Sequence, residues 1–209
     1  NTPDILHESL HAGEPAMFRL RLLLAGTMSP LYGVYAGFEW LEHQPVREGS
    51  EEYLDSEKYQ LRARDWEGEA PLDGDLRRLN ALRRAEPALQ RQDNLTFHPT
   101  DNAQVICWRL PGVDGSADVL VVANLDVRDA QAAWVTVPID RMGIAEDEAY
   151  EVEDLLTGAR YTWRGRHNWV RLDPSHEPAH VLKVAATAGR PRDARGDVLV
   201  PKVSAEGAL

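Results

Sequence analysis

The hydrophobic pattern of this chain changes near Gln90, and this change constrains the fold more than any other feature. Before Gln90, apolar residues recur at helical spacing. After it, short runs rich in β-branched and aromatic residues are separated by turn residues. Because the two periods belong to different kinds of element, the sequence predicts an α/β unit followed by an all-β unit.

The first unit is predicted to contain two helices and a short strand. Pro15 suits the first turn of a helix that Ser29-Pro30 ends, and residues 75–89 place leucines at helical spacing. Between these helices, residues 32–37 are predicted to form a short buried strand, with glycines where a backbone or a ligand comes close. A helix, a strand and a long loop form one turn of an α/β pattern.

The second unit is predicted to be an antiparallel β-sandwich or barrel. Seven or eight short strands separated by turns such as Pro111-Gly112 and Thr157-Gly158 are typical of these folds. From residue 185 to 209 no period is present, so a disordered tail is predicted there. The strand candidates are residues 95–98, 104–110, 119–125, 133–137, 149–155, 161–163, 169–172 and 180–184.

Charge and cysteine content argue against several classes of partner. The formal net charge of −11 leaves no concentrated basic surface for nucleic acid. No apolar run approaches the ~20 residues that a membrane-spanning helix requires, so we expect no membrane partner. The single cysteine, Cys107, gives no disulfide framework, and we expect a cytoplasmic protein in which this residue is buried in a strand.

Three short motif matches are interpreted as coincidences. Residues 7–11 match H-E-x-x-H, but Gly13 and Pro15 leave little room for the helix that a zinc site needs. A glycosylation sequon begins at Asn94, and residues 195–197 form an Arg-Gly-Asp tripeptide in the predicted tail. We therefore expect no metal and no other cofactor.

The long loop at residues 38–73 is predicted to be functional, because connections of this length in compact domains are usually functional or disordered. Carboxylates such as Glu52 and Asp55 are interleaved there with aromatic and basic side chains. Sugars are bound by charged groups that hydrogen-bond their hydroxyls and by aromatic faces that stack on their rings, so the loop indicates a carbohydrate site. A solvated charged loop with a few anchoring aromatic residues is the alternative that composition leaves open.

Several segments carry a resemblance to a known family. They are NTPDIL at residues 1–6, SPLYGVYAG at 29–37 and, above all, REGSEEYLDSEKYQLR at 47–62, with further matches at 122–126, 154–158 and 170–174. From its first residue to about residue 184, the chain resembles the maltose-1-phosphate maltosyltransferases. These are bacterial members of the α-amylase superfamily that lengthen α-1,4-glucans.

The resemblance implies a fold and a place in a longer enzyme. Residues 1–90 would be the end of a (β/α)8 barrel, from the loop after strand seven to helix eight, and residues 91–184 would be a C-terminal β-sandwich. The nucleophilic Asp and the acid/base Glu would come from earlier barrel strands. Since the chain opens without a start Met, we expect a C-terminal fragment that is inactive alone.

The resemblance also implies a reaction and a set of site residues. Maltosyl units would pass with retention from maltose 1-phosphate to an α-1,4-glucan, releasing phosphate. Asp4 would be the third carboxylate, which stabilises the oxocarbenium-like transition state. Lys58 and Tyr59 would contact the non-reducing glucose of the maltosyl unit, and Asp55 and Glu52 would support that subsite.

Other interpretations stay open. Asp4 could serve only as a turn or N-cap residue. A hydrolase or isomerase of the same superfamily, such as an amylase or trehalose synthase, would share the fold, although Pro3-Asp4 and residues 51–62 argue against it. A non-catalytic carbohydrate-binding β-module would describe the chain if only the part after Gln90 mattered. A homodimer of the full-length protein is also left open.

Overall fold

In this computed structural model the described residues are 1–2, 4–56, 60–91, 93–113, 116–184, 193 and 195–199. Helices dominate the first part and strands the second, with 3₁₀ helices at Glu8–Leu10 and Pro87–Gln90. The elements in chain order are α1 (Pro15–Met28), α2 (Asp73–Ala85), β1 (Thr96–His98), β2 (Val105–Leu110), β3 (Asp118–Asn124), β4 (Gln131–Thr136), α3 (Ile139–Met142), β5 (Ala149–Asp154), β6 (Arg160–Arg164), β7 (His167–Leu172) and β8 (Ala179–Val184).

Prolines mark the start and the end of α1 and the end of α2. Pro15 occupies the first turn of α1, where its missing N–H costs nothing, and Ser29 just after the helix is already extended, as is usual before a proline. The second predicted helix is shorter than residues 75–89, since α2 ends at Ala85. Pro87 then starts a separate 3₁₀ turn, because proline cannot supply the N–H that a continuing helix needs.

Arg83 of α2 connects the two helices. Its guanidinium donates to the carbonyl oxygens of Ser29 at 2.8 Å and Pro30 at 2.6 Å, and it lies 4.8 Å from the ring centroid of Tyr32. It also donates to the carbonyl of Gly26, near the C-terminal end of α1. These groups would otherwise be unpaired carbonyls at a helix end, so Arg83 both caps α1 and fixes the chain that follows.

The predicted strand at residues 32–37 is wrong. The backbone there is irregular and then forms turns at residues 36–41. Both sheets of the described chain lie between residues 96 and 184, so this segment has no neighbouring strand beside it. A buried strand needs ladder partners for its N–H and C=O groups, and Val34 is instead 41% exposed.

The second part is a β-sandwich. One antiparallel sheet has the strand order β1-β2-β3-β8-β5-β6, and a second sheet pairs β4 with β7. Every strand lies within two residues of its predicted position at each end. The short strands, joined by turns at the predicted glycines, therefore close as a sandwich rather than a barrel.

The central strand β3 is buried at all seven positions, because layers cover both of its faces. Leu120 and Val122 face the β4–β7 sheet and pack in its apolar core. Val119 and Val121 face the other way, where they share a cluster with Leu20 and Leu23 of α1. The long sheet therefore lies between the small sheet and the helices, and it joins the two parts of the chain.

Part of the predicted disordered tail is packed against the sandwich. Arg109, only 1% exposed, donates to Asp118 at 2.8 Å and to Asp197 at 2.5 Å. The backbone N–H of Val198 donates to the carbonyl of Arg141 at 2.8 Å, and the Val198 side chain is buried. The prediction of disorder is therefore corrected for residues 195–198, because the buried guanidinium of Arg109 forms an ion pair with the carboxylate of Asp197. Residues 185–192, 194 and 200–209 lie outside the described residues.

Candidate active site

Asp4 lies in a tight turn that is anchored to the long loop. Thr2 and Ile5 exchange backbone hydrogen bonds of 3.1 and 3.3 Å across this turn, and the Asp4 side chain is exposed. The next residue, Leu6, is fully buried, and its N–H donates to the carbonyl of Glu51. Core packing of Leu6 and this bond together hold the Asp4 turn beside the loop.

The loop itself is folded into an irregular hairpin at residues 44–54. The N–H of Val46 donates to the carbonyl of Glu52 at 2.8 Å, and the N–H of Leu54 donates to that of Gln44 at 2.9 Å. Tyr53, only 3% exposed, anchors the hairpin in the core, and its hydroxyl accepts from the Asn1 amide at 2.5 Å. Burial raises the pKa of Tyr53, although the bond from Asn1 opposes this, so the phenol stays protonated at neutral pH.

A half-buried carboxylate organises the next part of the loop. The Glu42 side chain, 12% exposed, accepts from Arg64 Nε at 3.0 Å and lies 3.2 Å from Arg62 Nε. Arg64 is only 4% exposed and also donates to the carbonyl of Ala36 at 3.1 Å. The charge-assisted bonds from two guanidiniums to one carboxylate, with the bond from Arg64 to Ala36, tie residue 36 to residues 62–64.

Gly37 makes this arrangement possible. Its φ of +103° is a conformation that L side chains rarely adopt, and a Cβ atom there would collide with the Glu42 carboxylate. Its N–H donates to Glu39 at 3.0 Å, and its carbonyl accepts from the N–H of Glu42 at 3.0 Å. The close approach of backbone and carboxylate explains a glycine at this position.

A cleft of about 290 Å³ opens between the Glu42 carboxylate and the hairpin. The indole Nε1 of Trp40 is buried at this cleft with no hydrogen-bond partner among the described residues. Aromatic faces, carboxylates and a guanidinium converge here, which is the chemistry that binds sugar rings and their hydroxyl groups. The lining residues are Trp40, Leu41, Glu42, His43, Gln44, Tyr53, Leu54, Asp55 and Arg62.

The structure brings some of the predicted site residues together. Asp55 lines the cleft with a left-handed backbone, φ +52°, and Glu52 is exposed on the hairpin. Asp4 lies on the turn that is hydrogen-bonded to the hairpin one residue before Glu52. Lys58 and Tyr59 lie outside the described residues, between Asp55 and the next described part of the chain.

Sequence reasoning missed the roles of Trp40 and Glu42. Glu42 was one carboxylate among many, and its selection depends on two arginines 20 and 22 positions later that only the folded loop brings close. The one local signal was Gly37, whose glycine requirement reflects the carboxylate packed against it.

The motif matches have local structural roles. His7 accepts from the N–H of Ser9 at 3.2 Å, and the His11 ring is bonded to the carbonyl of Leu6. Among the described residues, no group of three or more His, Cys, Asp or Glu is placed to hold a metal ion. Asn94 is buried and donates to the carbonyl of Ala88 at 2.8 Å, so its amide is inaccessible in the folded chain. No helix in the described part of the chain is long and apolar enough to cross a membrane.

Residues 97–184 match the protein-family model described as "GLGE, C-terminal". Over 187 residues the chain is 48% identical to the α-1,4-glucan:maltose-1-phosphate maltosyltransferase of Corynebacterium glutamicum, covering 87% of this chain and 27% of that protein. It is 51% identical over 192 residues to maltosyltransferase 1 of Streptomyces coelicolor, covering 88% and 27%. The enzyme of Mycobacterium tuberculosis is 39% identical over 203 residues, covering 95% and 28%. The chain thus spans little more than a quarter of these relatives.

Solved α-amylases share the fold. The α-amylase of Geobacillus thermoleovorans aligns with a TM-score of 0.60 at 15% identity, covering 90% of this chain and 38% of that one. The maltogenic α-amylase of Thermotoga neapolitana aligns with a TM-score of 0.55 at 16% identity, covering 81% and 36%. At these identities the likeness concerns the fold alone. It confirms the predicted class, a barrel end followed by an antiparallel β-sandwich.

Proposed function

We propose, from the premise that this chain belongs to the α-1,4-glucan:maltose-1-phosphate maltosyltransferase family, that the protein containing it elongates α-glucans. Maltosyl units would pass from α-maltose 1-phosphate to the non-reducing end of an α-1,4-glucan, with retention of configuration and release of phosphate. In this proposal the nucleophile and the acid/base carboxyl, about 5–5.5 Å apart, lie in the part of the protein that precedes this chain.

The proposal divides the chain near residue 90. Residues 1–90 complete the catalytic barrel, and residues 91–184 form the β-sandwich domain, followed by a tail to residue 209. The change from helices to strands between α2 and β1 supports this division. Active sites of such barrels lie on the loops that follow the strands. The Asp4 turn and residues 38–73 would be two of these loops, with residues 32–37 becoming a strand only where the barrel strands of the full-length protein lie beside them.

The observation that carries the proposal is the contact between the Asp4 turn and the hairpin. The Leu6 N–H bond to Glu51 and the Asn1 bond to Tyr53 hold residues 1–6 against the hairpin at residues 44–54, although the two segments are far apart in sequence. A site that binds a sugar and also stabilises positive charge on it needs the binding groups and the stabilising carboxylate close together.

Asp4 is assigned the transition-state role. An exposed carboxylate on a turn whose backbone is hydrogen-bonded at both ends can accept hydrogen bonds from hydroxyls of the reacting glucose. These bonds would strengthen as positive charge develops on the ring, so the interaction favours the transition state over the bound donor.

Lys58 and Tyr59 are assigned to the non-reducing glucose of the maltosyl unit, with Asp55 and Glu52 as supporting residues. The cation would donate to hydroxyl groups and the ring would stack on the apolar face of the sugar. The location of Asp55 in the cleft wall, three residues before Lys58, supports this assignment.

The test is a product assay on the full-length enzyme with α-maltose 1-phosphate and maltohexaose. We expect phosphate release to match the appearance of chains two glucose units longer. Free maltose as the main product would identify a hydrolase, and interconversion of maltose and trehalose would identify an isomerase. Either outcome would overturn the proposal.

The proposal also includes a cytoplasmic location and allows a homodimer of the full-length enzyme. Cys107 is 1% exposed, and burial raises the pKa of its thiol to about 12, so it would stay an inert thiol in a reducing compartment. Cell fractionation and sedimentation of the full-length enzyme test these two points.

A further inference from the structure

The outer face of the small sheet carries two exposed tryptophans side by side. Trp134 of β4 and Trp169 of β7 are direct partners in the antiparallel ladder, and each is 52% exposed. Exposed tryptophans are unfavourable in water, and a pair on one surface marks an interaction site more often than an isolated one does.

The hydrogen bonding of β4 brings the two indoles close. The N–H of Trp134 donates to the Asp101 carboxylate at 2.7 Å, and its carbonyl accepts from the N–H of Asp101 at 3.3 Å, so neither group bonds β7. The N–H of Val137 donates to the carbonyl of Arg166 at 2.7 Å, so these two residues form a hydrogen-bonded pair. Hydrogen-bonded and non-hydrogen-bonded pairs alternate along the ladder, and Trp134 lies three residues from Val137. Trp134 and Trp169 are therefore a non-hydrogen-bonded pair, whose Cα atoms are about 4.5 Å apart and whose side chains lie closest.

Apart from Ala132, the rest of this face is polar and close to neutral. Thr136 and His167 flank the tryptophans on one side, with 3.5 Å between Thr136 Oγ1 and His167 Nδ1. On the other side Arg171 lies 3.7 Å from the carboxylate of Asp173, so its charge is compensated. The large aliphatic residues of the two strands are buried on the opposite face, in the sandwich core.

We propose that this face, centred on Trp134 and Trp169, is an auxiliary binding surface for the α-glucan, an inference that rests on the proposed function. Two adjacent indoles can stack on successive pyranose rings, and the flanking hydroxyl, imidazole and guanidinium groups can bond their hydroxyls. Apart from the two indoles the face offers no large apolar side chain, and the charge of Arg171 is compensated by Asp173, so it has little with which to hold a strongly apolar or highly charged partner. A neutral, hydroxyl-rich polymer matches it.

The face is separate from the cleft that Glu42 and Asp55 line. The cleft is built from residues 40–62, and the face belongs to β4 and β7, which cover the side of the long sheet opposite to α1. A long glucan could therefore be held on the sandwich while its end reaches the barrel, which raises its effective concentration at the site.

The experiment is affinity electrophoresis of the full-length enzyme in gels that contain glycogen. We compare wild type, Trp134→Ala/Trp169→Ala, the aromatic variant Trp134→Tyr/Trp169→Tyr, and Phe97→Ala, which removes an exposed aromatic from another edge of the sandwich. The double alanine variant should bind glycogen about tenfold more weakly, corresponding to loss of about 1.4 kcal/mol. The tyrosine variant should recover most of the affinity, and Phe97→Ala should bind like wild type.

Activity separates this inference from the proposed function. With maltohexaose, a short acceptor, kcat/KM of the double alanine variant should stay within about twofold of wild type. Equal glycogen retention by wild type and the double alanine variant would overturn the inference, as would an altered oligomeric state with unchanged retention. Loss of retention in a protein that releases no phosphate from maltose 1-phosphate would leave the glucan surface standing and refute the transferase.

Discussion

The loop region at residues 29–72 and the sandwich at residues 96–184 are held together by different forces. In the loop region the backbone is irregular, and Glu42 with Arg62 and Arg64 supplies the cross-links. In the sandwich, β3 is buried at every position between two apolar layers. Polar contacts can fix an irregular backbone and still leave side chains available to a ligand, whereas apolar burial gives a rigid support without chemistry.

The difference has an energetic consequence. Removing one member of a buried ion pair leaves a desolvated charge, so single substitutions of charged residues should strongly destabilise the loop region. Removing methylene groups from an apolar core costs stability in proportion to the cavity, so the sandwich should weaken by degrees. Five predictions test this contrast.

Asp4→Asn tests whether the loop region carries the chemistry. In the full-length enzyme kcat should fall about 100- to 1000-fold, because a neutral amide stabilises positive charge poorly in the transition state. The thermal midpoint should stay within about 1 °C, since the Asp4 side chain is exposed on its turn. Stopped assays of phosphate release and a melting curve measure the two effects. Turnover near that of wild type would remove Asp4 from the mechanism.

Glu42→Gln tests the ionic cross-link. Arg64 would lose its charge-assisted bonds to the Glu42 carboxylate, and we expect a local loss of about 3 kcal/mol. Hydrogen exchange should accelerate at residues 36–64 and remain unchanged in the sandwich. The matched control is Glu69→Gln, which breaks an exposed pair with Arg77 and should cost less than about 0.5 kcal/mol. Equal exchange in the two variants would mean that the loop is held by other contacts.

Asp197→Asn tests one place where the sandwich contains a buried charge, the guanidinium of Arg109. Arg109 would lose one of its two carboxylates and keep Asp118, so we expect about 2 kcal/mol of destabilisation in urea unfolding. Residues 195–198 should become sensitive to protease. Arg195→Ala, an exposed neighbour, is the control and should behave like wild type. A protease-resistant Asp197→Asn variant would show that Val198 alone holds this segment.

Lys58→Ala tests donor binding. If Lys58 contacts the maltosyl unit, KM for maltose 1-phosphate should rise about tenfold while kcat changes less, as expected for an interaction present in both ground and transition states. Steady-state kinetics of the full-length enzyme give both constants. An unchanged KM would rule out that contact.

The pH dependence of stability tests the burial of His98 in the sandwich. Burial, reinforced by Arg109 and Arg141, lowers its pKa to about 4 from the ordinary 6.5. Between pH 6.5 and 4 the unfolded chain therefore binds more protons than the folded one, so stability falls as the pH is lowered through this range. At pH 5 the loss relative to pH 7 should be about 1 kcal/mol larger in wild type than in His98→Gln. Parallel pH profiles would contradict this.

The sequence predicted the sandwich better than the loop region, for a physical reason. Strand positions depend on a local period of two and on turn residues, and Pro15 and Pro87 mark helix boundaries by local chemistry. The supposed strand at residues 32–37 had the right composition, but strand structure also requires a neighbouring ladder. Local pattern carries no information about that neighbour.

The candidate site was predictable only in part. Asp4, Glu52 and Asp55 came from a resemblance over residues 1–6 and 47–62, not from spacing. The pairing of Glu42 with Arg64, and of Arg109 with Asp197 across 88 positions, is set by tertiary folding. Any of several acidic residues would have fitted the composition equally well.

Ligand protection tests the central claim most directly. The full-length enzyme is exposed to deuterium with and without α-maltose 1-phosphate, in the absence of glucan, and amide exchange is followed along this chain. The account predicts slower exchange at residues 1–6 and 40–62, where the maltosyl unit would be held, and unchanged exchange in the sandwich core. Protection confined to residues 96–184, with the Asp4 turn and the hairpin unaffected, would contradict it.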